Sequence, residues 1–181
     1  DPIGSRGLGD VYKRQISNDW QDLTAFLRDY EAQGLEIEGT YDLGNLSLKA
    51  GATYTDAEIA SNQRDPGLEG NTPRRQADWS YALSAVYSAD RFALGTNIVG
   101  TTESFAQDNN QLIMPSFTTV GLFGEYFLSE RLTLSINVNN LFDKVGITES
   151  EEGAIAENAV NYVRQRAVNG RTVSGALRYP F

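Results

Sequence analysis

The end of the chain sets the terms for everything before it. Counting back by twos from Phe181 gives Tyr179, Leu177, Gly175 and Val173, while Pro180, Arg178, Ala176, Ser174 and Thr172 fall between them. One side is apolar and finishes in two aromatics; the other is mostly polar or small. Side chains alternate across a strand, so this stretch reads as a β-strand with one face in an apolar medium. That medium is either the core of a soluble sandwich or a lipid bilayer. The remainder of the chain decides.

The same period of two recurs upstream. Leu35, Ile37, Gly39, Tyr41 and Leu43 alternate with Glu36, Glu38, Thr40 and Asp42. Gly44-Asn45 is a hairpin signal. A second strand, about 46–56, sets Leu46, Leu48, Ala50, Ala52 and Tyr54 against Ser47, Lys49, Gly51, Thr53 and Thr55. A third, about 77–88, carries Trp79, Tyr81, Leu83, Ala85 and Tyr87; a fourth, about 92–102, carries Phe92, Leu94, Thr96, Ile98 and Gly100. The fifth, about 116–128, shows Val120, Leu122, Gly124, Tyr126 and Leu128. The sixth, about 132–142, sets Leu132, Leu134, Ile136 and Val138 against Thr133, Ser135, Asn137 and Asn139.

Between these strands the connections run short, long, short, long, short, long. The long ones are about 57–76, 103–115 and 143–170. A sandwich has no reason for that rhythm, whereas an up-and-down barrel does, with tight turns at one rim and long loops at the other. Aromatics follow the same geometry. Tyr41, Tyr87, Phe92, Tyr126, Tyr179 and Phe181 fall near the short-turn rim; Tyr54, Trp79, Tyr81, Phe117 and Phe142 fall near the other. Leu, Ile, Val, Ala and Gly fill the middle. Two aromatic belts around an aliphatic band suit a bilayer, because Tyr and Trp join an apolar body to a polar tip. The sequence therefore predicts an all-β fold: an antiparallel, up-and-down transmembrane β-barrel, of which about seven strands are visible.

Composition agrees by exclusion. No run approaches the roughly 20 apolar residues of a membrane helix, so a membrane protein of this kind must cross with strands. The formal charge is −9, with no basic stripe to hold nucleic acid. Cysteine and histidine are both absent, which removes thiol chemistry, Ser-His and Cys-His catalysis and the commonest soft-metal ligand. No cofactor motif and no enzyme motif is present.

Residues 1–15, DPIGSRGLGDVYKRQ, read as an adapter or cloning-derived scar on a chain whose true amino-terminal part is missing. In 16–29, Ile16, Trp20, Leu23 and Leu27 have helical spacing, which predicts a loop or short helix, with a frayed strand as the alternative. Residues 30–181 form the barrel portion.

Leu132-Thr-Leu-Ser-Ile-Asn-Val-Asn-Asn-Leu-Phe-Asp-Lys144, followed by a long loop and a strand ending in Phe181, resembles the carboxy-terminal end of a TonB-dependent outer-membrane receptor. The family motif lies at Asn140, Leu141, Phe142 and Asp143. Tyr30–Glu38, Ala52–Glu58 and Gly70–Trp79 also resemble stretches of that family's barrel. The resemblance implies a plugged barrel of about 22 strands in the bacterial outer membrane. It implies active uptake of a scarce, large solute (siderophore, cobalamin or oligosaccharide class) and no enzymatic activity. The implied partners are outer-membrane lipid and lipopolysaccharide, the TonB complex through a plug absent here, and the barrel-assembly machinery. That machinery would read Val173, Gly175, Leu177, Tyr179 and Phe181. A small eight-stranded barrel with a structural or adhesive role is the alternative, and needs residues 16–30 to supply a strand.

The expected inner face carries Glu36, Glu38, Ser47, Lys49, Ser80, Ser84, Asn97, Glu125, Thr133, Ser135, Asn137, Asn139, Ser174 and Arg178. Arg74 and Arg75, beside Trp79, are candidates for an anionic or metal-chelate ligand. Asn139, Asn140 and Asp143 at a strand end are expected to bond local backbone and shape the loop entry. Glu149, Glu151 and Glu152 are expected to be solvated rather than to hold calcium.

Overall fold

The computed structural model describes residues 15–16, 25–150 and 163–180. Seven strands form one antiparallel sheet in chain order: β1 (Arg28–Leu43), β2 (Leu46–Asn62), β3 (Trp79–Ser88), β4 (Phe92–Thr101), β5 (Phe117–Ser129), β6 (Leu132–Asn139) and β7 (Thr172–Arg178). Every neighbour in sequence is a neighbour in the sheet, which is an up-and-down meander.

Register sorts the two faces. Directly opposed residues share a face, and one line of partners runs Leu43, Leu46, Tyr87, Leu94, Gly124, Ile136, Gly175. The next runs Tyr41, Leu48, Ala85, Thr96, Leu122, Val138, Val173. The other face carries Thr40, Lys49, Ser84, Asn97 and, further along, Asn137 beside Ser174 and Thr133 beside Arg178. One face is apolar and the other mostly polar throughout.

The lines of partners also measure tilt. The line that starts at the β1–β2 tip reaches β5 and β6 at Gly124 and Ile136, about five residues short of their own tip at Glu130-Arg131. Five residues of rise across four strand spacings is a slope of about 40°, within the range of closed barrels. This sheet is an arc of barrel wall. The same slope brings the outer ends of β6 and β7 level with Tyr54 and Trp79.

Both aromatic belts contain ring pairs. Tyr54 and Trp79 have centroids 5.0 Å apart, and Tyr87 and Phe92 are 6.1 Å apart. Tyr81 lies across Gly100, where an added Cβ would meet its ring, and its hydroxyl bonds Thr118 Oγ1 at 2.6 Å.

Three expectations need correction. The loop or short helix expected over 16–29 falls mostly outside the described residues; at its ends Gln15–Ile16 pairs with Ala25–Phe26, and β1 begins at Arg28, paired with the outer end of β2. The Gln15–Ile16 hairpin does not join the seven-stranded sheet. β6 stops at Asn139, not at residue 142, because Asn140 takes a left-handed φ of 49°. Phe117 stands near the outer rim but on the polar face, opposite Thr101 and against Gly146, so it is no member of the outer belt. Finally, β2 runs on to Asn62 rather than ending near residue 56.

The strands end at Arg178, so Pro180 lies beyond the ladder, where its missing N–H costs nothing. Phe181 is outside the described residues.

Candidate functional site

β1 and β2 continue outward past the Tyr54–Trp79 pair to Arg28 and Asn62, a projection of about 25 Å along the strand. Here the molecule has its only tightly packed apolar interior among the described residues: Ile59 and Ala106 are 0% exposed and Met114 2%. The sheet's own faces are largely exposed. The packed core is therefore in the long-loop region rather than behind the sheet.

Two connections build it. The β2–β3 connection runs back beside β2, with Ile59 N–H donating to Asn71 O, Gly70 N–H to Ile59 O, and Thr55 N–H to Asp78 O. Asp65 accepts from Gly67 N–H as the cap of a 3-10 turn over Pro66–Leu68. The β4–β5 connection, braced by a two-residue hairpin between Ser104–Phe105 and Ile113–Met114, leans onto it. Asp108 ties them. One carboxylate oxygen accepts from Arg28 Nη1 at 2.6 Å, the other from Arg74 N–H at 2.9 Å, and its carbonyl accepts from Asn71 Nδ2 at 2.9 Å. Asn110 copies a strand partner for Thr72, accepting from its N–H and donating to its carbonyl. Its φ of 56° suits a short polar residue.

Arg28 also donates to Tyr30 Oη at 3.1 Å. Burial disfavours its charge, but the bonds and charges of Tyr30 and Asp108 outweigh that and hold its pKa above the ordinary arginine value. Arg28 and Tyr30 have the inner-face parity of β1. The β4–β5 connection thus reaches them across the side of the wall that faces the barrel mouth.

The candidates from the sequence are not gathered into one pocket. Arg75, at φ 63°, donates its N–H to Phe105 O at 2.7 Å and Nη2 to Ser150 O at 2.6 Å. Arg74 contributes its backbone to Asp108. Trp79 is on the bilayer face, its ring tilted against that of Tyr54. Asn140 is 6% exposed; its Nδ2 donates to Lys144 O and Asn169 O, both at 2.9 Å, and its Oδ1 accepts from Lys144 N–H at 2.8 Å. Asp143 Oδ1 accepts from Arg171 N–H at 2.7 Å. The motif therefore fastens the start of the β6–β7 connection to its end. Asn139 Nδ2 reaches Thr172 Oγ1 at 3.3 Å. Glu149 pairs with Arg166 at 3.1 Å in an exposed hairpin; Glu151 and Glu152 lie outside the described residues. No group of three metal-ligating side chains occurs among the described residues.

Sequence reading missed Arg28 and Asp108. Their only signal was a cation and an acid in polar connections, distant in sequence and joined only by the fold.

A tilted meander, aliphatic outside, polar inside and belted with aromatics at both rims, defines the wall of an outer-membrane β-barrel. The chain belongs to the family described as TonB dependent receptor-like, beta-barrel, which residues 9–141 match; the match reaches back into the stretch read as a scar. It is 29% identical over 121 residues to the vitamin B12 transporter BtuB of Vibrio vulnificus, covering 67% of this chain and 18% of that protein. It is 30% identical over 121 residues to the metal-pseudopaline receptor CntO of Pseudomonas aeruginosa, covering 62% and 17%. The chain thus spans less than a fifth of the length of these curated relatives. The fold is shared with the unliganded ferric citrate transporter FecA, at TM-score 0.72 and 23% identity over 93% of this chain and 27% of that one. It is shared too with the ferric yersiniabactin receptor FyuA of Yersinia pestis, at TM-score 0.72 and 19% identity over 85% and 24%.

Proposed function

We propose that this chain is the carboxy-terminal portion of a plugged barrel of about 22 strands that imports a scarce, large solute of the siderophore, cobalamin or oligosaccharide class. The observation that carries the reading is the wall itself: a polar inner face crowned by cross-tied loops that lean over its mouth. β1 and β7 are the sheet's two edges, and an edge in lipid leaves backbone groups unpaired, so further strands must close the ring. The names of the relatives, for vitamin B12 and for a metal chelate, support the solute range. In this reading Arg74 and Arg75, in the β2–β3 connection, remain the candidates for meeting an anionic chelate.

TonB would supply energy through the plug. The assembly machinery would read the closing strand at Val173, Gly175, Leu177, Tyr179 and Phe181, and lipopolysaccharide would meet the outer belt. The test is uptake by the full-length protein in cells lacking their own receptors, offered a panel of ferric siderophores and cyanocobalamin, with and without TonB. Saturable uptake of one solute that stops without TonB is expected. A correctly inserted protein that passes solutes independently of TonB overturns the reading.

A further inference from the structure

Asn169-Gly170 is the one place in the sequence where glycine follows asparagine. It leads into β7 through exposed backbone that belongs to no strand. The backbone around it is pinned. Val168 N–H donates to Gly146 O at 2.8 Å, Asn169 O accepts from Asn140 Nδ2 at 2.9 Å, and Arg171 N–H donates to Asp143 Oδ1 at 2.7 Å. What lies between the pins is free: among the described residues, neither the Asn169 side-chain amide nor Gly170 N–H has a hydrogen-bond partner.

The amide carbon of an asparagine can close a five-membered ring with the next residue's backbone nitrogen. The side chain on that next residue usually obstructs the approach, and glycine has none. A Cβ added at Gly170 would meet one group besides its chain neighbours, Asp143 Oδ1 at 3.1 Å. Asn71, Asn109, Asn110, Asn139 and Asn140 differ on both counts. Each has its amide nitrogen in a hydrogen bond, and each precedes a residue that carries a side chain.

We propose that Asn169 is a site of slow covalent modification, in which the chain alters its own backbone and opens the Asn140 clamp. Gly170 N gives its proton to hydroxide and bonds to Asn169 Cγ; the Cγ–Nδ2 bond breaks and ammonia leaves. Water then opens the cyclic imide. Attack at Cγ leaves an aspartate. Attack at the main-chain carbonyl carbon leaves an isoaspartate, whose chain runs through Cγ and whose former carbonyl is a free carboxylate. The oxygen that Asn140 holds then no longer belongs to the main chain, and the path into β7 is one atom longer. The start and end of the β6–β7 connection come unfastened. The proposal rests on this local chemistry and not on which solute is carried.

The full-length receptor in outer-membrane vesicles is aged at neutral and mildly alkaline pH, beside a free peptide of the sequence 167–172. Digestion and mass spectrometry locate the exchange of amide for acid, and enzymatic methylation counts isoaspartate. Asn169 should convert in the folded receptor as it does in the peptide, about tenfold faster per pH unit, as a step that begins with loss of a proton to hydroxide requires. Asn71, Asn109, Asn110, Asn139 and Asn140 should stay intact. Aged wild type should be cut by limited proteolysis within 143–171 about fivefold faster than fresh protein, the worth of one lost hydrogen bond. Asn169→Gln, which would need a larger ring, should neither convert nor change its cleavage with age. A heat-induced mobility shift matching wild type certifies that variant's barrel, and Gly170→Ala serves as a second slow variant. Conversion of the peptide without conversion of the folded receptor overturns the proposal, because the fold would then shield Asn169. Conversion that leaves cleavage unchanged overturns it too, because the Asn140 contact would then fasten nothing.

Discussion

Arg28 and Asp108 are 80 positions apart and meet at 2.6 Å, one at the outer end of β1 and the other in the β4–β5 connection. Their side chains are 21% and 12% exposed, so water still screens the pair in part. Its value lies between a surface ion pair and a buried one, about 1–2 kcal/mol. Asp108→Ala also strips an acceptor from Arg74 N–H. Limited proteolysis should cut within 63–78 and 102–116 about tenfold faster in this variant, as a loss of about 1.4 kcal/mol of local stability implies. The barrel's heat-induced mobility shift should not move. Unchanged cleavage would show that Asp108 does not hold the loops.

Asn140 satisfies three backbone groups while holding a φ that favours Asn or Gly. Asn140→Ala removes the bonds and adds strain, for about 2–4 kcal/mol. Asn140→Gly removes only the bonds and should retain about 1 kcal/mol more than the alanine variant. The order is read from urea unfolding in lipid vesicles. Alanine matching glycine would leave the left-handed backbone without energetic weight.

Leu83 and Ser84 are consecutive and face opposite media. Leu83 is opposed by Ala50 and Ile98 on the bilayer face, Ser84 by Lys49 and Asn97 on the inner face. Leu83→Arg should cost about 2–4 kcal/mol in vesicle unfolding, as for a cation near the bilayer midplane, and Ser84→Arg well under 1 kcal/mol. Reversed costs would mean that the faces are assigned the wrong way round.

Tyr81 covers Gly100 so closely that an added Cβ would collide with its hydroxyl oxygen and ring. Gly100→Ala should therefore expel the ring and sever its bond to Thr118, for about 1–2 kcal/mol. In a Tyr81→Ala background the same substitution should be nearly neutral. Equal costs in both backgrounds would place the strain elsewhere.

The alternation that revealed the strands works only where the two faces see different solvents. It held from Leu35 to Leu43 and from Leu46 to Tyr54, with lipid on one side. It faded over Asp56, Glu58 and Ser61, where both faces are wet, yet the ladder continues there to Asn62. Asn140 was legible as a strand-end residue, but its left-handed turn was not, since period two gives no warning of one positive φ. The parity of Phe117 is odd, against the even line of Val120, Leu122, Tyr126 and Leu128 in its strand, which was the available sign that it faces inward. Arg28 and Asp108 left no trace that local pattern could carry.

The burial of Ile59, Ala106 and Met114 above the wall, with the wall's own faces left bare, divides the molecule between two solvents. Water drives the loops together and the bilayer keeps the strands upright, so neither force stabilises the other's half. Such a protein melts in two places: warming or mild denaturant should loosen the crown first, while a change in membrane thickness should trouble only the staves.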